Sequence, residues 1–209
     1  MPNSVISDFP LFALDLVALP SEVVPLHIFE ERYRTMIAEC LDDDTEFGIV
    51  WRDEEGLRDV GCAMEITDVL ERMEDGSMNI MTAGTRPFRI IDVGADVPYP
   101  TASIEFLADT RADPVDGPAR ATAQEVYAAL VEEATDLPPN PGQLAGMTAF
   151  AMAATVDFGA AAKQQLLELR SEAARLDLVT RLFRAAVKRL DFIERALTRA
   201  RSNGKVRFG

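Results

Sequence analysis

The hydrophobic pattern changes its period near the middle of the chain, and this change limits the fold to a strand-rich part followed by a helical part. Before Asp109, apolar residues occur in short runs separated by turn residues, which is typical of strands. The stretch from Asp109 to Pro118 is acidic and rich in residues that break regular structure, so it predicts a linker. After Ala119, apolar residues recur three and four positions apart, the period of one helical face. These patterns predict an α+β chain.

The first part predicts about six strands, tight turns and one inserted helix. The strongest turn signal is Asp75-Gly76, a dipeptide that favours a hairpin. Elements of this number and length suit a small closed or nearly closed barrel. The predicted strands are Phe9–Ala18, Phe47–Arg52, Val60–Arg72, Met78–Thr82, Pro87–Val93 and Thr101–Leu107.

The second part predicts four helices. A loop must separate the first two, because the prolines between Asp136 and Gly142 cannot lie inside a helix. In the last helix, apolar residues from Leu176 to Leu197 alternate three and four positions apart, which suits a bundle face or a coiled-coil seam. We expect the bundle, since the other helices also need covering. The predicted helices are Ala119–Thr135, Gln143–Phe158, Ala160–Leu169 and a long helix that begins after Ser171.

The stretch from Pro20 to Leu41 holds the inserted helix. Its start predicts a loop, because Pro20 and Pro25 fix φ and push the preceding residues toward extended geometry. From Ile28 onward, apolar side chains share one helical face, which we expect to pack against the rest of the domain. The residues of this face are Ile28, Phe29, Tyr33, Met36, Ile37 and Cys40.

Short motifs are spaced along the first part of the chain. They are Phe9-Pro-Leu-Phe, Leu19-Pro, Pro25-Leu-His-Ile-Phe-Glu-Glu-Arg-Tyr, Phe47-Gly-Ile-Val, Val60-Gly-Cys-Ala and Gly84-Thr-Arg-Pro-Phe-Arg-Ile. Together they resemble the N-terminal substrate-binding domain of the ATP-dependent Lon protease, especially its free-standing bacterial relatives, and cereblon carries a related domain. The resemblance implies a PUA-like β-barrel lobe with one inserted helix, followed by a helical bundle lobe. We expect these lobes at residues 1–110 and 119–209, joined by a linker at 111–118.

The resemblance also implies binding without catalysis. Such a module would recognise exposed apolar segments of unfolded or partner polypeptides, and a separate protease or chaperone could be a further partner. A complete Lon protease needs an ATPase P-loop and a Ser–Lys dyad. The sequence contains no G-x-x-x-x-G-K-[ST] motif, and no glycine-flanked serine lies near Lys163, Lys188 or Lys205. We therefore predict no enzymatic activity and no cofactor.

Two other function classes stay open from the residues alone. A hydrolase would depend on His27, the single histidine, which more simply fixes its turn by hydrogen bonding to nearby backbone. An RNA-binding module would use the last helix, since nine basic and two acidic residues lie between Arg181 and Gly209. That segment could equally dock on the acidic body of the protein or contact an acidic partner. The net charge of −14 makes nucleic acid an unfavourable main partner.

Candidate binding residues lie on the inserted helix, at one strand end and in the central hairpin. Arg32 and Arg34 on the exposed side of the helix could contact a client, and solubility explains them equally well. Trp51 ends a strand, where tryptophan serves as an anchor for partners or as a core residue. Met73 and Met78 belong to a group of methionines, a residue used in adaptable binding surfaces and in cores. We predict all five as substrate-binding residues.

The two cysteines, Cys40 and Cys62, lie in apolar patterns without the spacing of a zinc site, and they predict reduced core thiols. No apolar run reaches the roughly 20 residues of a membrane span, and the N-terminus lacks the features of a signal peptide. We therefore expect a cytoplasmic protein that binds no metal, no membrane and no cofactor, and that is a monomer or a weak homodimer.

Overall fold

The computed structural model describes residues 4–94, 98–110 and 117–203. Contacts within it divide the chain into two compact units. The first unit comprises the described residues of Met1–Arg111 and Phe150–Ser171, and the second comprises those of Ala112–Ala149 and Glu172–Gly209. Each unit is therefore discontinuous in sequence.

The linker predicted at 111–118 falls at one of the unit boundaries. Its residues 111–116 lie outside the described part of the chain, and Gly117 and Pro118 already belong to a helix. The sequence pattern does not mark the other boundaries, because residues 150–171 are helical and read as part of the same helical half.

Seven strands form the sheet of the first unit. They are β1 (Val5–Leu14), β2 (Val23–Ile28), β3 (Phe47–Asp53), β4 (Gly56–Leu57), β5 (Val60–Arg72), β6 (Met78–Val93) and β7 (Thr101–Phe106). Antiparallel pairings connect β1, β7, β6, β5 and β3 in that order, and a parallel pairing of β1 with β3 closes these five strands into a ring. Outside the ring, β2 pairs with β6 and β4 pairs with β3. This closed sheet and the helices after it confirm the predicted α+β fold class.

The interior of the sheet is filled by side chains from alternate positions of its strands. Phe88 of β6 is fully buried, and its ring meets the ring of Phe9 edge to face at a centroid distance of 5.5 Å. The buried cluster around this pair consists of Phe9, Leu11, Val50, Ala63, Phe88, Ala102 and Ile104.

Six helices complete the described chain. They are α1 (Glu31–Asp43), α2 (Gly117–Thr135), α3 (Pro141–Gly146), α4 (Ala149–Ala153), α5 (Ala160–Glu168) and α6 (Glu172–Asn203). The single helix predicted at Gln143–Phe158 is wrong, because two short helices flank Met147, whose backbone is extended at φ −73° and ψ 131°. None of the helices in the described part of the chain is long and apolar enough to cross a membrane.

The inserted helix α1 carries four of the six residues predicted on its apolar face. Ile28 is buried but is the last residue of strand β2, and Phe29 also precedes the helix. Tyr33, Met36, Ile37 and Cys40 are buried, which confirms the predicted apolar face. Phe29 is 63% exposed, so its assignment to that face was wrong. The reason is that α1 begins only at Glu31, and Phe29 lies in the connection between β2 and the helix.

Residues Val23–Ile28 form strand β2, where a loop was predicted. Pro25 is compatible with this strand because β2 pairs only with β6 among the described strands, and a proline at a sheet edge leaves no ladder hydrogen bond unmade. A proline also led the sequence analysis to divide β6 into two predicted strands, Met78–Thr82 and Pro87–Val93. Pro87 lies inside β6 next to a register shift at Thr85, where a proline is tolerated.

Helix α5 packs within the first unit. The Gln164 Nε2 group donates a hydrogen bond of 3.2 Å to the carbonyl oxygen of Val60, and Lys163 forms an ion pair of 2.5 Å with Glu22. After the helix, the Arg170 guanidinium donates to the carbonyl oxygen of Ala108.

In the second unit, α2 and α6 pack side by side. The rings of Tyr127 and Phe183 lie 5.3 Å apart, and Leu176, Val179 and Phe183 are fully buried. This part of the predicted seam is therefore a bundle face. Further along α6 the seam is more open, since Ile193 is 45% exposed.

Candidate functional site

Exposed apolar side chains occur on and beside strand β2. Val23 of β2 is 60% exposed, Phe29 directly after the strand is 63% exposed, and Leu70 of β5 is 54% exposed. A single exposed apolar residue is ordinary, whereas several in one area commonly mark an interaction surface. This area of the first unit is the candidate site.

The side of β2 that faces solvent continues across β6 onto β5. Directly opposed residues of antiparallel strands project to the same face of a sheet. Three ranks of opposed residues cross the three strands: Val23, Ala83 and Glu65; Pro25, Met81 and Asp68; His27, Asn79 and Glu71. The alternate positions of β2 and β6 point the other way, because Leu26, Ile28 and Ile80 are buried. We call the nine residues of these ranks the outer face.

An open depression of about 600 Å³ lies on the outer face. Its lining residues are Pro25, Leu26, His27, Leu70, Glu71, Asn79 and Ile80. Beside it, the ring of Phe29 stacks on the imidazole of His27, with a centroid distance of 5.7 Å and an interplanar angle of 23°. The exposed side chains of the depression are therefore two apolar ones, Pro25 and Leu70, and the polar His27, Glu71 and half-buried Asn79.

The polar side chains of the depression, His27, Asn79 and Glu71, form one chain of hydrogen bonds. Asn79 Nδ2 donates to Glu71 Oε2 over 3.1 Å, and this bond turns the amide oxygen of Asn79 toward His27. His27 Nδ1 lies 2.8 Å from that oxygen and must carry the proton, since an amide oxygen only accepts. In a neutral imidazole, Nε2 is then left as an acceptor. This chain of hydrogen bonds fixes the orientation and the tautomer of His27.

One of the predicted binding residues, Arg34, ties α1 to the tip of the β5–β6 hairpin. The Arg34 guanidinium donates to the carbonyl oxygen of Asp75, within the turn that follows the half-buried Met73. Arg32 is exposed, forms an ion pair with Glu30 and lies 4.5 Å from the centroid of the Tyr33 ring. The structure therefore brings Arg34 and Met73 to one end of the hairpin.

Trp51 and Met78 lie elsewhere. The Trp51 indole N–H donates to Asp15 Oδ1 over 3.1 Å, and the Arg58 guanidinium lies 5.1 Å from the centroid of its ring. These contacts fix the half-buried indole in place. Met78 is 4% exposed in β6 and points away from the outer face. The role of all five residues in binding stays a prediction.

The residues of the depression were missed at the sequence level. The signal was present in Val23–Ile28, where the inward positions Leu26 and Ile28 alternate with the outward positions 23, 25 and 27. This alternation was not taken as a strand because it contains Pro25, and proline normally argues against a strand.

The two cysteine thiols are buried and poorly ionised. Burial raises the pKa of the Cys62 thiol far above its usual range, and burial also raises the pKa of Cys40. Both cysteines are free and buried, as predicted. Within residues 4–94, 98–110 and 117–203, no group of three or more His, Cys, Asp or Glu side chains could hold a metal ion.

A second cavity of about 500 Å³ in the first unit is lined mainly by residues of β1 and of the end of α1. The Tyr99 hydroxyl donates to Glu39 Oε2 at its rim. Burial, together with this carboxylate, raises the pKa of Tyr99 to about 12. The phenol is therefore a neutral hydrogen-bond donor near pH 7.

The chain is similar in sequence to a known protein family. Residues 8–185 match the family described as the ATP-dependent protease La (LON) substrate-binding domain. The chain is 34% identical over 130 residues to a LON peptidase N-terminal domain and RING finger protein of Schizosaccharomyces pombe, covering 52% of this chain and 26% of that protein. It is 28% identical over 186 residues to a Lon protease of Anaeromyxobacter dehalogenans, covering 79% of this chain and 22% of that protein. The chain spans about a quarter of the length of these curated relatives.

Solved structures share the architecture. A Lon N-terminal domain protein from Xanthomonas campestris superposes with a TM-score of 0.60 at 21% identity, covering 82% of this chain and 96% of that chain. The N-terminal domain of Mycobacterium avium complex Lon protease gives a TM-score of 0.62 at 21% identity, covering 84% and 97%. The family match extends over most of the sequence and includes residues of both units. The chain therefore belongs to the Lon substrate-binding domain family.

Proposed function

We propose that this chain is a non-catalytic binding module that holds exposed apolar segments of unfolded or partner polypeptides on the outer face. The observation that supports this most directly is the open depression beside the exposed side chains of Val23, Phe29 and Leu70. Covering such side chains with a partner removes apolar surface from water, which contributes roughly 25 cal/mol for each Å².

The bound segment would lie on the face of the sheet and not extend it at the edge of β2. Adding a strand requires a continuous row of backbone donors and acceptors, and Pro25 interrupts that row because it has no N–H. On the face, a client side chain would enter the depression between His27 and Leu70. His27 Nε2 would accept a hydrogen bond from a client N–H or hydroxyl group.

The composition of the outer face supports binding without a reaction. Its nine residues include no serine, cysteine or lysine that could act as a nucleophile. His27 makes its polar contact with the amide of Asn79, which can neither attack a substrate nor take up a proton. Catalysis, if a client is degraded, would belong to a separate protease or chaperone system in the cytoplasm.

The test is the affinity for an unfolded apolar peptide, measured by fluorescence anisotropy. Phe29→Ser removes an exposed apolar side chain from the site, and we expect the dissociation constant to rise about tenfold, as burial of an aromatic side chain is worth about 1.5 kcal/mol or more. Leu70→Ser should act in the same direction.

The matched control is Phe192→Ser in α6, because Phe192 is 70% exposed and lies in the second unit. This substitution should leave the affinity unchanged. Equal losses for Phe29→Ser and Phe192→Ser, or no peptide binding by the unmodified protein, would refute the proposed site.

A further inference from the structure

Three carboxylates stand in line on the β5 side of the outer face. Glu65, Asp68 and Glu71 are three positions apart in sequence, a spacing that would send alternate residues of a regular strand to opposite faces. Register shifts between Ile66 and Asp68 and between Val69 and Glu71 correct this, so the three oppose Ala83, Met81 and Asn79 of β6. Two irregularities in one strand therefore bring three negative charges to one face, and such bulges are common beside functional sites.

These charges are not balanced within the sheet. Glu65, Asp68 and Glu71 are all exposed, and among the described residues Glu65 and Asp68 form no hydrogen bond or ion pair through their side chains. Within the described part of the chain, Glu71 accepts only from the neutral amide of Asn79. The single basic residue of β5, Arg72, opposes the buried Met78 and so belongs to the other set of alternating positions.

We propose that the polypeptide segments bound on the outer face carry lysine or arginine next to their apolar residues. This inference rests on the proposed function and names the class of client. The apolar residues of the client lie over Pro25, Phe29 and Leu70, and its basic side chains reach the carboxylates of β5. The complementarity of charge also disfavours acidic segments, since like charges brought together across an interface weaken binding.

The dimensions of the sheet fit such a client. Neighbouring strands lie about 4.8 Å apart, so β2 and β5 are separated by about 10 Å with β6 between them. In an extended segment, side chains two positions apart project to the same side at a spacing of about 7 Å. A long lysine or arginine side chain two positions from the apolar anchor covers the rest of the distance.

The experiment compares fluorescent peptides that share one apolar core and differ in their flanking residues, which are lysine, serine or glutamate. At low ionic strength we expect the lysine-flanked peptide to bind about fivefold more tightly than the serine-flanked one, and the glutamate-flanked peptide to bind most weakly. The differences should vanish in high salt, because exposed charges are then screened.

The variant Glu65→Gln/Asp68→Asn/Glu71→Gln should bind the lysine- and serine-flanked peptides equally. Its matched control is Glu125→Gln/Glu132→Gln/Glu133→Gln, which removes the same charge from exposed positions of α2 and should keep the preference. Circular dichroism verifies that both variants fold.

Three results would overturn the inference. The first is equal affinity of the unmodified protein for lysine- and serine-flanked peptides, which leaves the proposed function in place. The second is loss of the preference in the α2 control, or its persistence in the β5 variant. The third is the absence of binding to all three peptides, which refutes the proposed function as well.

Discussion

Gly84 lies where β6 contacts the segment that leads into β2. Its N–H donates to the carbonyl oxygen of Glu22 over 2.8 Å, and its own carbonyl oxygen accepts from Ser21 over 2.7 Å. A Cβ atom at this position would stand 2.1 Å from the carbonyl oxygen of Leu19. Only glycine permits this approach, because the obstacle is backbone and cannot rotate away.

We therefore expect Gly84→Ala to lower the free energy of unfolding by about 3 kcal/mol, measured by urea denaturation. Gly117→Ala is the matched control, because a Cβ there meets nothing within 4 Å. It should leave stability unchanged or raise it slightly, since alanine favours the helix. Equal effects of the two substitutions would show that the approach to Leu19 is not as close as described.

The cysteine thiols should be unreactive in the folded protein. Burial raises the pKa of both Cys40 and Cys62, so at pH 8 the thiolate, which is the reactive form, is scarcer than in an unfolded chain. Raising the pH ionises the unfolded chain first, and folding stability should therefore fall as the pH rises above the usual thiol pKa of about 8.5.

The measurement is the rate of reaction with a disulfide reagent at pH 8, with and without denaturant. We expect both thiols to react rapidly only in denaturant. Rapid reaction of Cys62 in the native protein would contradict its complete burial.

Among the elements, α5 is held to the sheet by a charge pair with little access to water. Glu22 precedes β2, Lys163 belongs to α5, and their side chains are only 14% and 15% exposed. Glu22 also accepts from the Leu19 N–H over 2.9 Å. Removing one charge of such a pair leaves the other buried and unpaired, which costs more than removing both.

We expect Glu22→Gln to destabilise the protein by about 3 kcal/mol, although the glutamine can still accept from Leu19. Adding Lys163→Met should restore part of that loss, because no unpaired charge then remains. Urea denaturation of the single and double variants measures both effects. Asp191→Asn is the control, since its pair with Arg195 is exposed and worth little. A double variant no better than Glu22→Gln would contradict this account.

Strand β2 shows which information the sequence held and which it lacked. The helical period correctly placed Tyr33, Met36 and Ile37 on the buried face of α1, because that face depends on local spacing alone. The same pattern extended the helix back to Ile28, because the end of a strand and the start of a helix share apolar residues. The strand itself depends on pairing with Met78–Ala83, a contact distant in sequence that no local pattern encodes.

The alignment of Glu65, Asp68 and Glu71 was hidden for a similar reason. Bulges are defined by the register between two strands, and a sequence of one strand does not reveal where the partner skips a residue. Motifs such as Pro25-Leu-His-Ile-Phe-Glu-Glu-Arg-Tyr, by contrast, carried the resemblance to the Lon domain and with it the fold class. The motifs did not show where site residues chosen by residue type, such as Trp51, lie on the surface.

The chain as a whole does not divide at the predicted linker alone. Residues 150–171 belong to the first unit, where Lys163, Gln164 and Arg170 all contact residues of the sheet part. A chain that ends at residue 110 would lose these three anchors and leave Glu22 unpaired.

We therefore expect a chain truncated to residues 1–110 to unfold at lower urea concentration and to expose apolar surface, seen as increased binding of a hydrophobic dye. The unmodified chain, which retains α5 together with the paired α2 and α6, serves as the comparison. Equal stability of the sheet part in the truncated and the unmodified chain would favour a boundary at 111–118.

The most direct test of the proposed site is a map of where a client touches the chain. Backbone amide resonances of the isotope-labelled protein can be followed by NMR while an unlabelled, lysine-flanked apolar peptide is added. We expect saturable shift changes concentrated in β2, in Glu65–Arg72 of β5 and in Met78–Ala83 of β6. Saturable changes confined to α2 and α6, with the outer face unaffected, would contradict it.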